Sequence, residues 1–97
     1  PAAARFDYAL ERPEVELIDW LSRFPPAVQQ AAVEYKPLHM ASYAYELARA
    51  FHSFYHAVPV LQAEAAARPA RLRMVAAARQ VLANSLRLLD IAAPDVM

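Results

Sequence analysis

The sequence predicts an all-α protein, an antiparallel-type bundle of about four helices. Three observations carry that reading. The 97 residues include no glycine and no cysteine, while alanine, the strongest helix former, fills 23 positions. Eight prolines divide the chain, and between them apolar residues recur at helical spacing. The missing glycines remove the Asn-Gly and Asp-Gly turns of tight hairpins and the glycine-rich phosphate loops of nucleotide enzymes. The length allows one domain with one core, large enough to fold without disulfides. Without cysteine there is no disulfide framework and no thiolate metal site, which suits a reducing compartment.

The first helix is expected from Pro13, which fits a first turn, with Glu14, Glu16 and Asp19 near its positive end. Leu17, Ile18, Leu21 and Phe24 supply its apolar repeat. Pro25 is expected to stop it and Pro26 to open the second helix at N1. That second helix, roughly Ala27 to Tyr35, presents Val28, Ala31, Ala32 and Tyr35, and Lys36-Pro37 ends it. The third helix runs from about Leu38 to Val58 and buries Met40, Tyr43, Ala44, Leu47, Phe51, Phe54 and Val58. Tyr55 sits beside this face. Tyr45, Arg49, His52 and His56, at i, i+4, i+7 and i+11, stack as a stripe on the flank. Pro59 closes the helix, and residues 59–69 form a connection with room for a short turn over Glu64 to Ala67, ending at Pro69. The fourth helix spans about Ala70 to Leu89. Met74, Val81 and Leu88 recur every seven residues, as do Val75, Leu82 and Leu89, with Ala78 and Ser85 between the rows, giving a core-facing stripe. Arg73, Gln80, Asn84 and Arg87 lie opposite. Two heptads are too few for a coiled coil.

Net charge is zero but unevenly placed. Residues 1–35 carry three arginines against six acids, whereas residues 36–89 carry seven Lys plus Arg against Glu46 and Glu64, with all three histidines. The basic half is where an anionic partner would bind. The longest stretch free of charged residues, Ala50 to Ala63, has 14 residues and contains Pro59, too short and broken to span a bilayer. No signal peptide opens the chain, and the missing initiator Met suggests a piece of a longer protein.

His52 and His56 form an HxxxH pair that can hold one metal ion from a single helix face. A third ligand is lacking, and Ser53 stands where a zinc protease would carry its Glu base, so two exposed helix histidines are the simpler reading. The serines lack a strand-turn-helix elbow, and Glu11, Glu14, Glu16 and Asp19 read as capping and solvation. The aromatic-basic stripe is more informative. RNA loops are read by splayed bases stacked on Tyr, Phe, His or Arg planes, which Tyr45, Arg49, His52, Tyr55 and His56 supply. Arg71, Arg73, Arg79 and Arg87 can hold phosphates. Against this, aromatics at helical spacing are more often core and arginines more often a solvated face, so a helical protein-interaction bundle competes.

The string YAYELARAFHSFYH, from Tyr43, resembles a helix of the C-terminal anticodon-binding (DALR) domain of arginyl-tRNA synthetases, which are class I enzymes. Upstream, ELIDWLSRFPPAVQQAA is similar to that family's acidic-apolar helix and its following "fP-x-v-v-x-x-A" helix. Downstream, RLRMVAAARQVLANSLRLLDIAAPDVM resembles its final helix and "AP-x-x-M" end. The match covers nearly the whole chain. The resemblance implies one helical domain over residues 1–97, the C-terminal fragment of a longer synthetase. It would bind the anticodon stem-loop of an arginine-accepting tRNA while a catalytic domain of the same chain joins arginine to tRNA with ATP and Mg. It also implies a cytoplasmic protein without membrane contact, expected to be a monomer. The "HIGH" and "KMSKS" motifs are absent here, so this piece carries no catalytic site, cofactor or metal of its own. By the resemblance, Tyr55 would contact anticodon bases, and Val96 and Met97, with its carboxylate, would approach the same bases. The helix pattern adds Arg73, Arg79 and Arg87 for phosphates and His52 and His56 for tRNA contact.

The chain departs from the family's pattern in several places. Glycine is usual where Ser85 and Asp90 stand; Asp90 would then have to take the left-handed conformation that ends a helix, with a penalty of about 1 kcal/mol. Leu38 and His39 replace a His and an Arg, Ser42 a frequent Arg, and His56 an Asn. The changes at Leu38, Ser42 and Asp90 motivate the alternative of a helical protein–protein interaction module without tRNA binding.

Overall fold

The structure, a computed structural model, describes residues 8–34 and 36–92. Four helices follow one another: α1 (Arg12–Ser22), α2 (Phe24–Glu34), α3 (Pro37–Ala57) and α4 (Arg68–Ala92). No strand occurs among the described residues, so the chain is all-α as its composition implies. No helix among them is long and apolar enough to cross a membrane.

The prolines behave differently from the sequence expectation. Pro25 does not stop α1, and Pro26 does not open α2. The first helix ends at Ser22, a single residue, Arg23, makes the corner, and both prolines sit inside the first turn of α2. Pro69 likewise lies inside the first turn of α4 and opens it rather than ending the connection. Pro13 and Pro37 also occupy helix first turns. A first turn has no carbonyl four residues back to accept from, so proline's missing N–H costs nothing there. Arg23 closes α1 in a right-handed conformation, φ −86° and ψ −1°, and its carbonyl accepts from the Ala27 N–H at 3.0 Å.

Asp90 is a further correction. It lies within α4, which continues to Ala92, so no left-handed residue is required there. The helix ends just short of Ala93, the residue before Pro94, where the ring of the proline disfavours helical backbone.

Helix α3 is the central element and packs against each of the other three. Its predicted apolar face is the core: Met40, Tyr43, Ala44, Leu47, Phe54 and Val58 are buried, with Phe51 at the margin. Leu17 from α1 and Ala70, Met74 and Ala78 from α4 complete the cluster. The two heptad rows of α4 flank this line, and Ser85 between them is fully buried, its hydroxyl donating to the Val81 carbonyl at 2.8 Å. Tyr43 reaches across the bundle and donates to the Trp20 carbonyl at 2.6 Å. Burial pushes its phenol pKa up to about 12.

Candidate nucleic-acid interface

Helical geometry places Tyr45, Arg49, His52 and His56 about 180° around α3 from its core line. They form the outward ridge of that helix and not its flank. Tyr45 is 66% exposed, and both histidines are exposed with ring centroids 4.2 Å apart. Arg49 turns to Glu46 at 2.8 Å, which neutralises it. Tyr55 occupies a different line, on the side of α3. It is 58% exposed, yet its ring lies 5.8 Å from Phe51, which in turn lies 6.3 Å from the buried Phe54. A rising series of three rings thus braces Tyr55 at the surface while leaving most of its face open to a stacking partner.

The arginines of α4 divide into two groups. Arg71, expected with the phosphate-holding set, is removed from it. Its guanidinium is buried, with Nε donating to Glu14 Oε2 at 2.9 Å and Nη1 to the Pro59 carbonyl at 2.9 Å. Arg68 donates to the Ala63 carbonyl. Arg73, Arg79 and Arg87 are exposed and make no ion pair among the described residues. Their directions differ. Arg73 and Arg87 lie within about 40° of each other around the axis and about 21 Å apart along it. Arg79 points about 120° away from Arg73, on a line it shares with Leu72 and Leu86, which are 42% and 60% exposed.

A buried polar lock joins the site's two helices to α1. Glu14, at 0% exposure, accepts from Tyr8 Oη at 2.5 Å, from the Glu11 backbone N–H at 2.8 Å and from Arg71. The guanidinium also lies over the Tyr8 ring at 5.3 Å. Burial alone would raise the Glu14 pKa. The hydrogen bonds from Arg71, the Glu11 backbone and Tyr8, with the arginine's charge, outweigh it and hold the carboxyl below its ordinary value. Tyr8 is pushed up to about 12, by burial first and then by its bond to Glu14. The bond from Arg71 to Pro59 sets the end of α3 against the start of α4. It therefore brings Tyr55, His52 and His56 to the end of the bundle where Arg73 stands. Arg87 is at the far end of the same arginine line.

Glu14 is the residue that sequence reasoning misplaced, as a solvated helix-start acid. A signal existed: it stands three residues before Leu17, on the line that continues through Ile18 and Leu21 into the core. Val96 and Met97 lie outside the described residues. His52 and His56 gain no third metal-ligating side chain among the described residues. An open groove of about 320 Å³ lies where α1 and α2 meet α3, lined by Trp20, Arg23, Gln30, Ser42 and Tyr43 among others. Arg23 stacks on the Trp20 indole there at 4.4 Å.

A family described as the DALR anticodon binding domain matches residues 2–97. The chain is 52% identical over 94 residues to an arginine–tRNA ligase of Pyrococcus furiosus, covering 97% of this chain and 15% of the relative. It is 50% identical over 88 residues to that of Thermococcus sibiricus, covering 91% and 14%. The enzyme of the same name from Halorhodospira halophila is 47% identical over 93 residues, covering 92% and 16%. The chain thus spans about one seventh of the length of these curated relatives. No solved structure matches it significantly.

Proposed function

The chain belongs to the DALR anticodon binding domain family, and we propose that it holds the anticodon arm of an arginine-accepting tRNA. In this reading residues 1–97 are the C-terminal domain of a longer, monomeric arginine–tRNA ligase of the cytoplasm. The relatives named as arginine–tRNA ligases support the parent activity. The parent's catalytic domain, which handles arginine, ATP and magnesium, is the other partner of this bundle. Gripping the anticodon arm positions the tRNA so that its acceptor end reaches that distant active site.

One observation carries the proposal. Tyr55 is held open by the rings beneath it, at the end of the bundle where an arginine line without internal carboxylates begins. An exposed aromatic face stacks an unpaired base, worth about 1–3 kcal/mol per base. Unpaired arginines meet phosphate oxygens. Arg73 is assigned to the phosphate nearest the stacked base and Arg87 to one further along the strand. Arg79 faces elsewhere and has the weaker claim. Val96 and Met97 are assigned to the same bases through the family resemblance: a terminal carboxylate accepts from exocyclic amines, and a thioether packs on a base face.

The test is binding of the full-length ligase to a labelled anticodon stem-loop at several salt concentrations. Arg73→Ala and Arg87→Ala should each weaken binding and lower the log–log salt slope by about 1, with Arg79→Ala having less effect. A full-length ligase that binds the stem-loop no better than an unrelated hairpin contradicts the reading and returns the bundle to a protein-interaction role.

A further inference from the structure

We propose that the paired imidazoles of His52 and His56 form a proton-linked clamp for one tRNA backbone phosphate. The inference rests on the anticodon-arm reading and specifies how one part of that surface works. The two rings lie 4.2 Å apart, inclined at 52°, one turn apart on the outward ridge of α3. Ring nitrogens so placed can donate together to the oxygens of one phosphate, provided that both nitrogens carry protons.

The surroundings favour an external anion over an internal one. His39, the third histidine, already has a carboxylate: its Nε2 lies 2.8 Å from Glu34. No hydrogen bond or ion pair among the described residues reaches His52 or His56. Arg49, one turn earlier on the same ridge, is occupied by Glu46, and Glu16 of α1 adds to the negative field on that arginine. Tyr45 and Tyr55 are the titratable neighbours on α3 itself, and the Glu14 carboxylate is buried against Arg71. With both histidines neutral, the ridge therefore offers no uncompensated cation. Two imidazolium groups this close repel each other, so the second proton is taken up readily only when a phosphate lies between them. Histidine is the side chain whose charge changes across about pH 5–8, so this uptake falls in a physiological range. Binding and protonation are then linked, and each strengthens the other.

The experiment measures stem-loop affinity of the full-length ligase at pH 8.0, 7.0 and 6.0 at constant ionic strength. Calorimetry in buffers of different ionisation enthalpy counts the protons taken up. The wild type should bind at least about fivefold more tightly at pH 6.0 than at pH 8.0, with uptake of about one proton per complex. His52→Asn with His56→Asn should bind nearly as at pH 8.0 throughout and take up none, whereas His39→Asn should keep the wild-type profile. Wild-type binding without proton uptake, or uptake unchanged in the double variant, overturns the clamp while leaving the anticodon-arm reading standing. Absence of stem-loop binding at every pH overturns both. A pH response that disappears on adding EDTA assigns the pair to a divalent ion and also overturns the clamp.

Discussion

Replacing Arg71 with methionine tests the lock that sets α3, α4 and α1 in register. The guanidinium makes two bonds to Glu14, at 2.9 and 3.3 Å, one to the Pro59 carbonyl at 2.9 Å and a longer contact to Glu11 at 3.5 Å. Methionine fills similar volume but leaves a carboxylate of 0% exposure with only Tyr8 and one backbone N–H as partners. Breaking a buried ion pair on one side costs about 3–5 kcal/mol. A domain of this size holds about 5–15 kcal/mol in total and loses about 4–8 °C in Tm for each kcal/mol. Thermal unfolding at pH 7, followed by far-ultraviolet circular dichroism, should therefore show Tm falling by at least about 12 °C. Removing the carboxylate as well, in Arg71→Met with Glu14→Leu, should recover much of the loss, because an apolar pair leaves no uncompensated charge.

The pH dependence gives the sign. In the wild type the Glu14 pKa is lowered by folding. Its contribution is present above the ordinary carboxylate value, about 4.3, and is lost as pH falls through the lower folded value. In Arg71→Met, burial without the arginine raises the folded pKa, so that variant should gain stability as pH falls from 7 toward 5. A loss below about 1 kcal/mol, or a variant with the wild-type pH slope, refutes the claim that the pair holds the bundle.

Two further substitutions probe the core. Tyr43→Phe removes the hydroxyl that donates to the Trp20 carbonyl at 2.6 Å and should cost about 1 kcal/mol in urea unfolding; the same phenol should ionise only near pH 12 in an absorbance titration. Ser85→Gly, which installs the residue the resemblance leads one to expect, should lower stability by about 1 kcal/mol, because position 85 is mid-helix and needs no unusual backbone.

The helices and their buried faces were legible because period and composition agree. The apolar line of α3 and the double heptad of α4 are in the core as their spacing implies. What failed to transfer was polarity in context. Proline reads as a stop from sequence, yet at 25, 26 and 69 it lies inside a helix's first turn, and only the position of the preceding cap separates the two meanings. Glu14 and Arg71 read as surface charges because their pairing spans 57 residues, a distance across which local pattern carries no information. The stripe on α3 was correctly grouped but placed on the flank, whereas the packing of three helices around α3 leaves it pointing straight outward. The candidate site was therefore legible as a set of residues, while the direction each one faces came from the packing.

The central claim is that Tyr55 stacks a base of the anticodon arm. Because the ring is mostly exposed, Tyr55→Ala should leave Tm within about 4 °C of wild type. Stem-loop affinity of the full-length ligase should nevertheless fall by at least about fivefold, with Tyr55→Phe retaining most of it. Unchanged affinity for Tyr55→Ala, in a ligase that still binds the stem-loop, would contradict the account.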